Sequence, residues 1–369
     1  MRVLRGFRLT RGRASRPALD RATTRNRRAR AAVLSGVAAA VAGLLGLAVQ
    51  VETTRPGWRD PDGGPRLQEL RDIVRWRDRA DPGRPLVVAV GSSRVQMGLS
   101  PLHLGLDHAD PAVPLVYNCG HTGYDPVGQL LTVRRLLDAG VTPDYLLVEV
   151  MPLTQTRAVP PPSVVAPTPL GYADLARLAP YVENPAGLRR EWAAARVRSW
   201  HTLRFSLLTQ WGAEEWVPPR LRQYPYRPGQ GGWSPFDIPP ATDAQRATWL
   251  AAARETYREC FADPRVAGPQ DRAYHETLGL CRERGVRAAL LLLPESPAFR
   301  ACYPPRSRPL IRGYAAALAG TYGVPVFDAW DWSDDEADFP DGHHLLVPAA
   351  ARFSKRFGAE HLLPWVRGK

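Results

Sequence analysis

The sequence predicts an α/β fold built on a five-stranded, mostly parallel sheet, carried behind one N-terminal transmembrane helix. Three observations predict it. Five short apolar runs end at turn residues, as strands buried on both faces do. Helical stretches that stop at glycines lie between several of them. An uncharged segment of 21 residues follows a strongly basic N-terminus.

Residues 1–30 hold eleven arginines against a single acid, Asp20. The whole chain of 369 residues carries a formal charge of +13, and this tail supplies ten of those charges. The remaining 38 basic and 35 acidic residues nearly cancel, so the body offers no basic face for nucleic acid. Residues 31–51 (AAVLSGVAAAVAGLLGLAVQV) would span about 30 Å as a helix, one bilayer core. Arginines on one flank and Glu52 on the other place the N-terminus in the cytoplasm and the body outside, as a single-pass membrane protein. A cleaved signal peptide is the alternative, although no clean A-x-A site stands near 48–52. Arg27-Arg28 also allows a twin-arginine export signal, and a buried soluble helix is the remaining reading. Beside a membrane helix, the arginine tail suits anionic headgroups.

Residues 52–84 read as a linker with one short helix near 66–79. The α/β domain covers 85–369. Its strands are expected at Pro85–Val90, Pro114–Asn118, Tyr145–Val150, Val286–Leu293 and Val324–Phe327. Helices are expected at Gln129–Ala139, Asp271–Arg284 and Ser307–Ala319, stopping at Gly140, Gly285 and Gly320. Between strands three and four, about 152–265, the alternation breaks. That insertion runs from a proline-rich loop through helical stretches and a second Pro/Gly loop to a last helix near 241–260. It holds Trp192, Trp200, Trp211, Trp216, Trp233 and Trp249, which suit either a helical core or the binding of sugar rings or acyl chains.

No C-x-x-C pair exists, so a zinc knuckle is not expected, and no metal or cofactor is implied. Cys119 lies in an apolar run and reads as a buried thiol. An exported body permits one disulfide among Cys260, Cys281 and Cys302.

Three short segments can carry chemistry. Gly91-Ser92-Ser93-Arg94 closes the first strand, Asn118-Cys119-Gly120 the second, and Asp341-Gly342-His343-His344 stands near the C-terminus. A serine hydroxyl needs a base to become a nucleophile, and histidine is the base suited to neutral pH. A carboxylate must then fix the imidazole tautomer and stabilise the imidazolium. Asp341 and His344 are three apart on one tight loop, so their side chains can meet. Ser93 sits at the carboxyl end of a central strand, where open α/β sheets bind ligands. The backbone N–H groups of Ser93 and Gly120 are the candidate oxyanion donors. His343 competes with His344 as base. His103, His108, His121 and His275 have no assigned role.

These segments resemble the SGNH/GDSL hydrolase superfamily over about residues 85–363, the insertion excepted. The resemblance implies a flavodoxin-like three-layer sandwich. It implies Ser93 as nucleophile, His344 as base, Asp341 as its orienting carboxylate and Gly120 as an oxyanion glycine. Residues 344–358, with Pro348 at a helix first turn, are similar to the family's closing segment. Ser92 replaces the motif's Asp, and Ala349 stands where a Gly is usual. The G-x-N-D that brings an oxyanion Asn after strand three is absent, and Val148-Glu149-Val150-Met151-Pro152 stands there. Asn118 follows strand two instead, as a substrate contact or a turn residue. Glu149 and Glu295 end strands three and four on the same rim, where they would order Arg94 or bind substrate hydroxyls; Arg94 is either a substrate contact or a structural ion pair.

The layout is similar to membrane-anchored SGNH-like proteins of bacterial envelopes and, more distantly, to alginate O-acetylation and D-alanyl-lipoteichoic acid transfer proteins. That resemblance implies a periplasmic serine esterase or O-acyltransferase acting on acyl groups of envelope glycans or lipids. The alternative is a non-catalytic binding or scaffold protein on a degenerate SGNH fold.

Overall fold

The computed structural model describes residues 17–53, 60, 62–107, 109–152, 166–198, 208, 214–217, 226, 229–236, 238–262 and 268–368. It divides into two compact units, Met1–Val51 and Glu52–Lys369. The first is a helix, α1 (Pro17–Thr53), with proline at its first position, where no intrahelical N–H is needed. The helix therefore begins inside the basic segment rather than after it; Arg2 to Arg16 lie outside the described residues. Within it, Arg25–Gly46 is 22 residues long, and by length and composition could cross a membrane. Its Val33, Leu34, Leu44 and Leu45 are exposed.

The second unit opens with α2 (Gly63–Ala80). The short helix expected near 66–79 is present, but Leu70 and Val74 are buried in the main core, so it packs with the domain rather than lying in a linker. Next come β1 (Leu86–Val90), α3 (Ser93–Gly98), β2 (Leu115–Asn118), α4 (Pro126–Asp138) and β3 (Tyr145–Glu149). Then follow α5 (Tyr172–Leu178), α6 (Pro185–Val197), α7 (Asp243–Thr256), α8 (Arg258–Ala262), α9 (Pro269–Glu283) and β4 (Arg287–Leu292). The chain closes with α10 (Pro297–Arg300), α11 (Ser307–Tyr322), β5 (Val326–Asp328), α12 (Val347–Phe357) and α13 (Leu363–Val366).

The sheet has five strands, all parallel, in the order β2-β1-β3-β4-β5. Its alternate residues feed two separate cores. Leu86, Val88, Val90, Leu146, Val148 and Leu290 pack with Val133 and Leu136 of α4, Tyr274 and Leu278 of α9, and Ile311 and Ala315 of α11. Val87, Ala89, Leu147, Ala289 and Leu291 face the other way, onto Val95 of α3 and Phe353 and Phe357 of α12. Each fully buried Val or Leu contributes about 1.5–3 kcal/mol, which is why strands covered on both faces read as unbroken apolar runs.

Helix ends follow local chemistry. Asp125 caps α4, its Oδ1 accepting from Val127 N at 2.9 Å and Gly128 N at 3.0 Å. The helix expected to stop at Gly320 runs on to Tyr322 and ends at Gly323, whose φ of +65° supplies the left-handed cap. The disulfide that an exported body would permit among Cys260, Cys281 and Cys302 is not formed. Burial pushes the Cys119 and Cys281 thiols up to about 12.

Between β3 and β4, Leu170, Leu175, Leu178 and Tyr181 pack on Leu130 and Leu131 of α4. The segment around Gly231 lies along β2: Asn118 N donates to Gly231 O at 2.8 Å, and Trp233 Nε1 donates to Met97 O at 2.7 Å. Trp233 is buried there. Trp200 and Trp211 lie outside the described residues.

Candidate active site

Strand β1 runs into Gly91, where a Cβ would meet Val95 Cγ2 at 2.2 Å and Glu149 Oε2 at 2.7 Å. Only glycine lets the chain turn this tightly into α3. Ser92 caps that helix: its Oγ accepts from Arg94 N at 3.1 Å, and its own N–H donates to Glu149 Oε2 at 2.6 Å. Ser92 is thus a helix cap. Ser93 follows at the first helical position, half-buried.

The loop before α12 meets it from the other end of the chain. Ser93 Oγ lies 2.7 Å from His344 Nε2, and His344 Nδ1 lies 2.7 Å from Asp341 Oδ2. With Nδ1–H donated to the carboxylate, Nε2 carries the lone pair that accepts the serine proton. Asp341 Oδ1 also accepts from the backbone N–H of His344 at 3.1 Å and of His343 at 3.3 Å. Burial alone would raise the Asp341 carboxyl, but the His344 hydrogen bond and the two imidazoles hold it below the usual carboxylate range. Gly342, at φ +89°, makes the turn; a Cβ there would meet Phe299 Cβ at 2.8 Å.

It is His344, not His343, that reaches Ser93. His343 turns inward, stacked on Phe299 with ring centroids 4.9 Å apart and edge-on to Tyr257 at 5.6 Å. Burial, then the neighbouring His344, push its basicity well below the ordinary imidazole range, so it is neutral. Asp341, His343 and His344 also bring possible metal-ligand atoms within 4.8 Å of one another. Both ring nitrogens of His344 are already engaged by Asp341 and Ser93, so the arrangement fits a proton relay better than a ligand set.

The expected second oxyanion donor is engaged elsewhere. Gly120 N donates to Asn118 Oδ1 at 2.8 Å. Asn118 Nδ2 in turn donates to Val95 O at 2.7 Å and Leu99 O at 2.6 Å, tying the end of β2 to α3. Asn118 is fully buried, so it is a scaffold residue and not a substrate contact. A Cβ on Gly120 would lie 2.4 Å from Gln96 N, which explains the glycine by close approach alone. The Ser93 amide lies in the first turn of α3, where the helix itself supplies no acceptor.

Arg94, Glu149 and Glu295 are also inside rather than at the rim, with exposures of 2%, 0% and 0%. Arg94 Nη2 donates to Leu293 O at 2.8 Å, and its Nη1 lies 3.2 Å from Glu295 Oε1. Glu295 accepts from Trp330 Nε1 at 2.7 Å and Tyr303 OH at 3.1 Å. Burial pushes Glu295 up, against the pull of Arg94. These three side chains tie β3, α3 and the end of β4 together beside Ser93, out of reach of solvent.

A cavity of about 710 Å³ opens beside the relay. Asp341, His343 and His344 form one wall; Phe236, Ile238, Trp249 and Tyr257 form the other. Trp249 is visible in the sequence as a tryptophan of the insertion, whereas nothing there singles out Phe236 or Tyr257. A second cavity, of about 590 Å³, is lined by Asp60, Tyr124, Arg135, Asp174 and neighbours and includes none of the three relay residues. The remaining described histidines have local partners: His103 with Ser100 Oγ at 2.8 Å, His121 stacked on Tyr124, His275 with Tyr322 OH at 3.0 Å and His361 stacked on Phe327. His108 lies outside the described residues.

Comparison of the chain with protein-family models finds none that matches, and comparison with curated proteins finds no match either.

Proposed function

We propose that this protein is an SGNH-type serine esterase or O-acyltransferase of the cell envelope, its N-terminal helix an anchor and its body outside the membrane. The observation that carries the reading is the unbroken chain Ser93–His344–Asp341, with both hydrogen bonds at 2.7 Å. Supporting it, the strand order 2-1-3-4-5 is that of flavodoxin-like sheets. In that order, the turn after β1 opens at the crevice where such folds bind ligands. The arginine-rich flank of α1 supports a cytoplasmic N-terminus.

Ser93 Oγ adds to the ester carbonyl while His344 Nε2 takes its proton. Asp341 keeps the imidazole in the required tautomer and stabilises the imidazolium. The Ser93 N–H faces the developing oxyanion. His344 then protonates the departing alkoxide, leaving an acyl-serine. Water or an acceptor alcohol, deprotonated by His344, releases the acyl group, and that choice separates hydrolysis from transfer. Acyl groups on envelope glycans or lipids are the substrate class this reading names.

The test is a fluorophosphonate probe with identification of the modified residue, beside turnover of p-nitrophenyl acetate. Labelling at Ser93, and loss of turnover in Ser93→Ala, are expected. A non-catalytic binding role on the same fold is the second reading, favoured by the engaged Gly120 amide. An oxyanion hole one donor short gives up about 2.7–4 kcal/mol in the transition state. Specific labelling of Ser93 would sink that second reading.

A further inference from the structure

The two halves of an ester have different fates at Ser93. The acyl half stays on Oγ. The alkoxy half departs and needs a proton, and the proton available is the one His344 Nε2 has just taken. The leaving oxygen must therefore come within hydrogen-bond reach of Nε2, on the imidazole side of the serine.

The cavity of about 710 Å³ lies on that side. His344, His343 and Asp341 line it, whereas Ser93 and the Asn118–Gly120 turn do not. Its opposite wall comes from one face of α7. Gln245, Trp249, Ala252, Ala253 and Thr256 are spaced at helical intervals and all face the space. The alanines leave room beside Trp249, which stays 37% exposed. Phe236 closes the approach, its ring centroid 5.7 Å from that of His344. The polar end of Gln245 is engaged, its Oε1 accepting from Thr242 N at 2.9 Å in the cap of α7. The wall offers ring faces and methyl groups to a ligand, with Gln245, Thr256 and Tyr257 as its polar members.

We infer that this cavity holds the alcohol half of the ester, an alcohol carrying a ring-sized apolar face that stacks on Trp249. The inference rests on the serine-esterase reading. In the first half-reaction the Ser93 Oγ–carbon bond forms, the carbon–alkoxy bond breaks, and the proton passes from Ser93 through His344 to the alkoxy oxygen. In the second, an acceptor alcohol in the same cavity gives its proton to His344 and its oxygen to the acyl carbon, and Ser93 recovers its proton. Whether the enzyme transfers or hydrolyses then depends on which hydroxyl occupies this cavity.

The test uses the full chain in phosphatidylcholine nanodiscs and compares kcat/KM for benzyl acetate, ethyl acetate and ethyl hexanoate. Benzyl acetate should exceed ethyl acetate at least about tenfold, the worth of burying one ring. Ethyl hexanoate should stay within about threefold of ethyl acetate, less than burial of four methylenes would give. Trp249→Ala should bring the benzyl-to-ethyl ratio close to one. Ala252→Phe, which fills the cavity from an exposed helix position, should lower the same ratio. A wild-type ratio near one overturns the inference. So does a ratio that neither variant moves, or a hexanoate preference that Trp249→Ala abolishes, and in each case Ser93-dependent turnover leaves the esterase reading standing. Absence of Ser93-dependent turnover of all three esters removes the reading and the inference together.

Discussion

At the scale of single residues, the neighbouring histidines show how one position in a loop divides roles. His344 stands between Ser93 and Asp341, while His343 is buried against Phe299. Asp341→Asn would remove the acceptor for Nδ1–H and favour the wrong tautomer, so turnover should fall by about 10⁴ with the fold retained. Steady-state kinetics beside circular dichroism check this. His343 makes a different prediction. Its folded-state basicity lies below that of the unfolded chain, so below pH ~6.5 the unfolded state binds the proton that the folded state refuses. Stability should therefore fall as pH drops from ~6.5, and His343→Gln should flatten that fall. Asp341 acts lower: its depressed carboxyl stabilises the fold above the ordinary range near 3.9, and that contribution is lost only as pH falls further. Urea midpoints at pH 7, 5 and 3 separate the two groups.

At the scale of elements, α3 is held by its surroundings more than by its own length. Six residues are too few for a self-sustaining helix. Glu149 of β3 holds the Ser92 amide, Asn118 of β2 holds the Val95 and Leu99 carbonyls, and Arg94 reaches the Leu293 carbonyl at the end of β4. Arg94→Met would leave Glu149 and Glu295 buried without a cation, at a cost of about 3–5 kcal/mol, read by chemical denaturation. The strip beside β2 is as constrained. Gly232, at φ +82°, would place a Cβ 2.0 Å from Asn118 O. Gly232→Ala should cost at least about 1–3 kcal/mol and loosen the end of β2, seen as faster amide exchange there.

At the scale of the whole molecule, the sheet was legible because parallel strands covered on both faces leave continuous apolar runs, and all five runs became strands. Ser93, Asp341 and His344 were legible because each stands at a strand end or tight turn with a residue type suited to the chemistry. Asn118–Gly120 was half legible: Asn with Gly two residues on is the spacing of an Asx-turn, which engages the very amide expected at the oxyanion. The ties of Ser92 to Glu149 and Arg94 to Glu295 join residues far apart in sequence, and no local pattern encodes them. The cavity wall was illegible for a similar reason, since α7 and Phe236 reach the relay only through the tertiary fold. The proposed membrane anchoring also belongs to this scale: a reporter enzyme active only outside the cytoplasm, fused at the C-terminus, should be active, and inactive when the segment 25–46 is deleted. The central claim, that Ser93 is a nucleophile activated by His344, is tested most directly by fluorophosphonate labelling with mass-spectrometric assignment of the modified residue. Labelling at Ser93 should disappear in Ser93→Ala and slow at least about 100-fold in His344→Ala. No labelling at Ser93, or labelling at the same rate without His344, would contradict it.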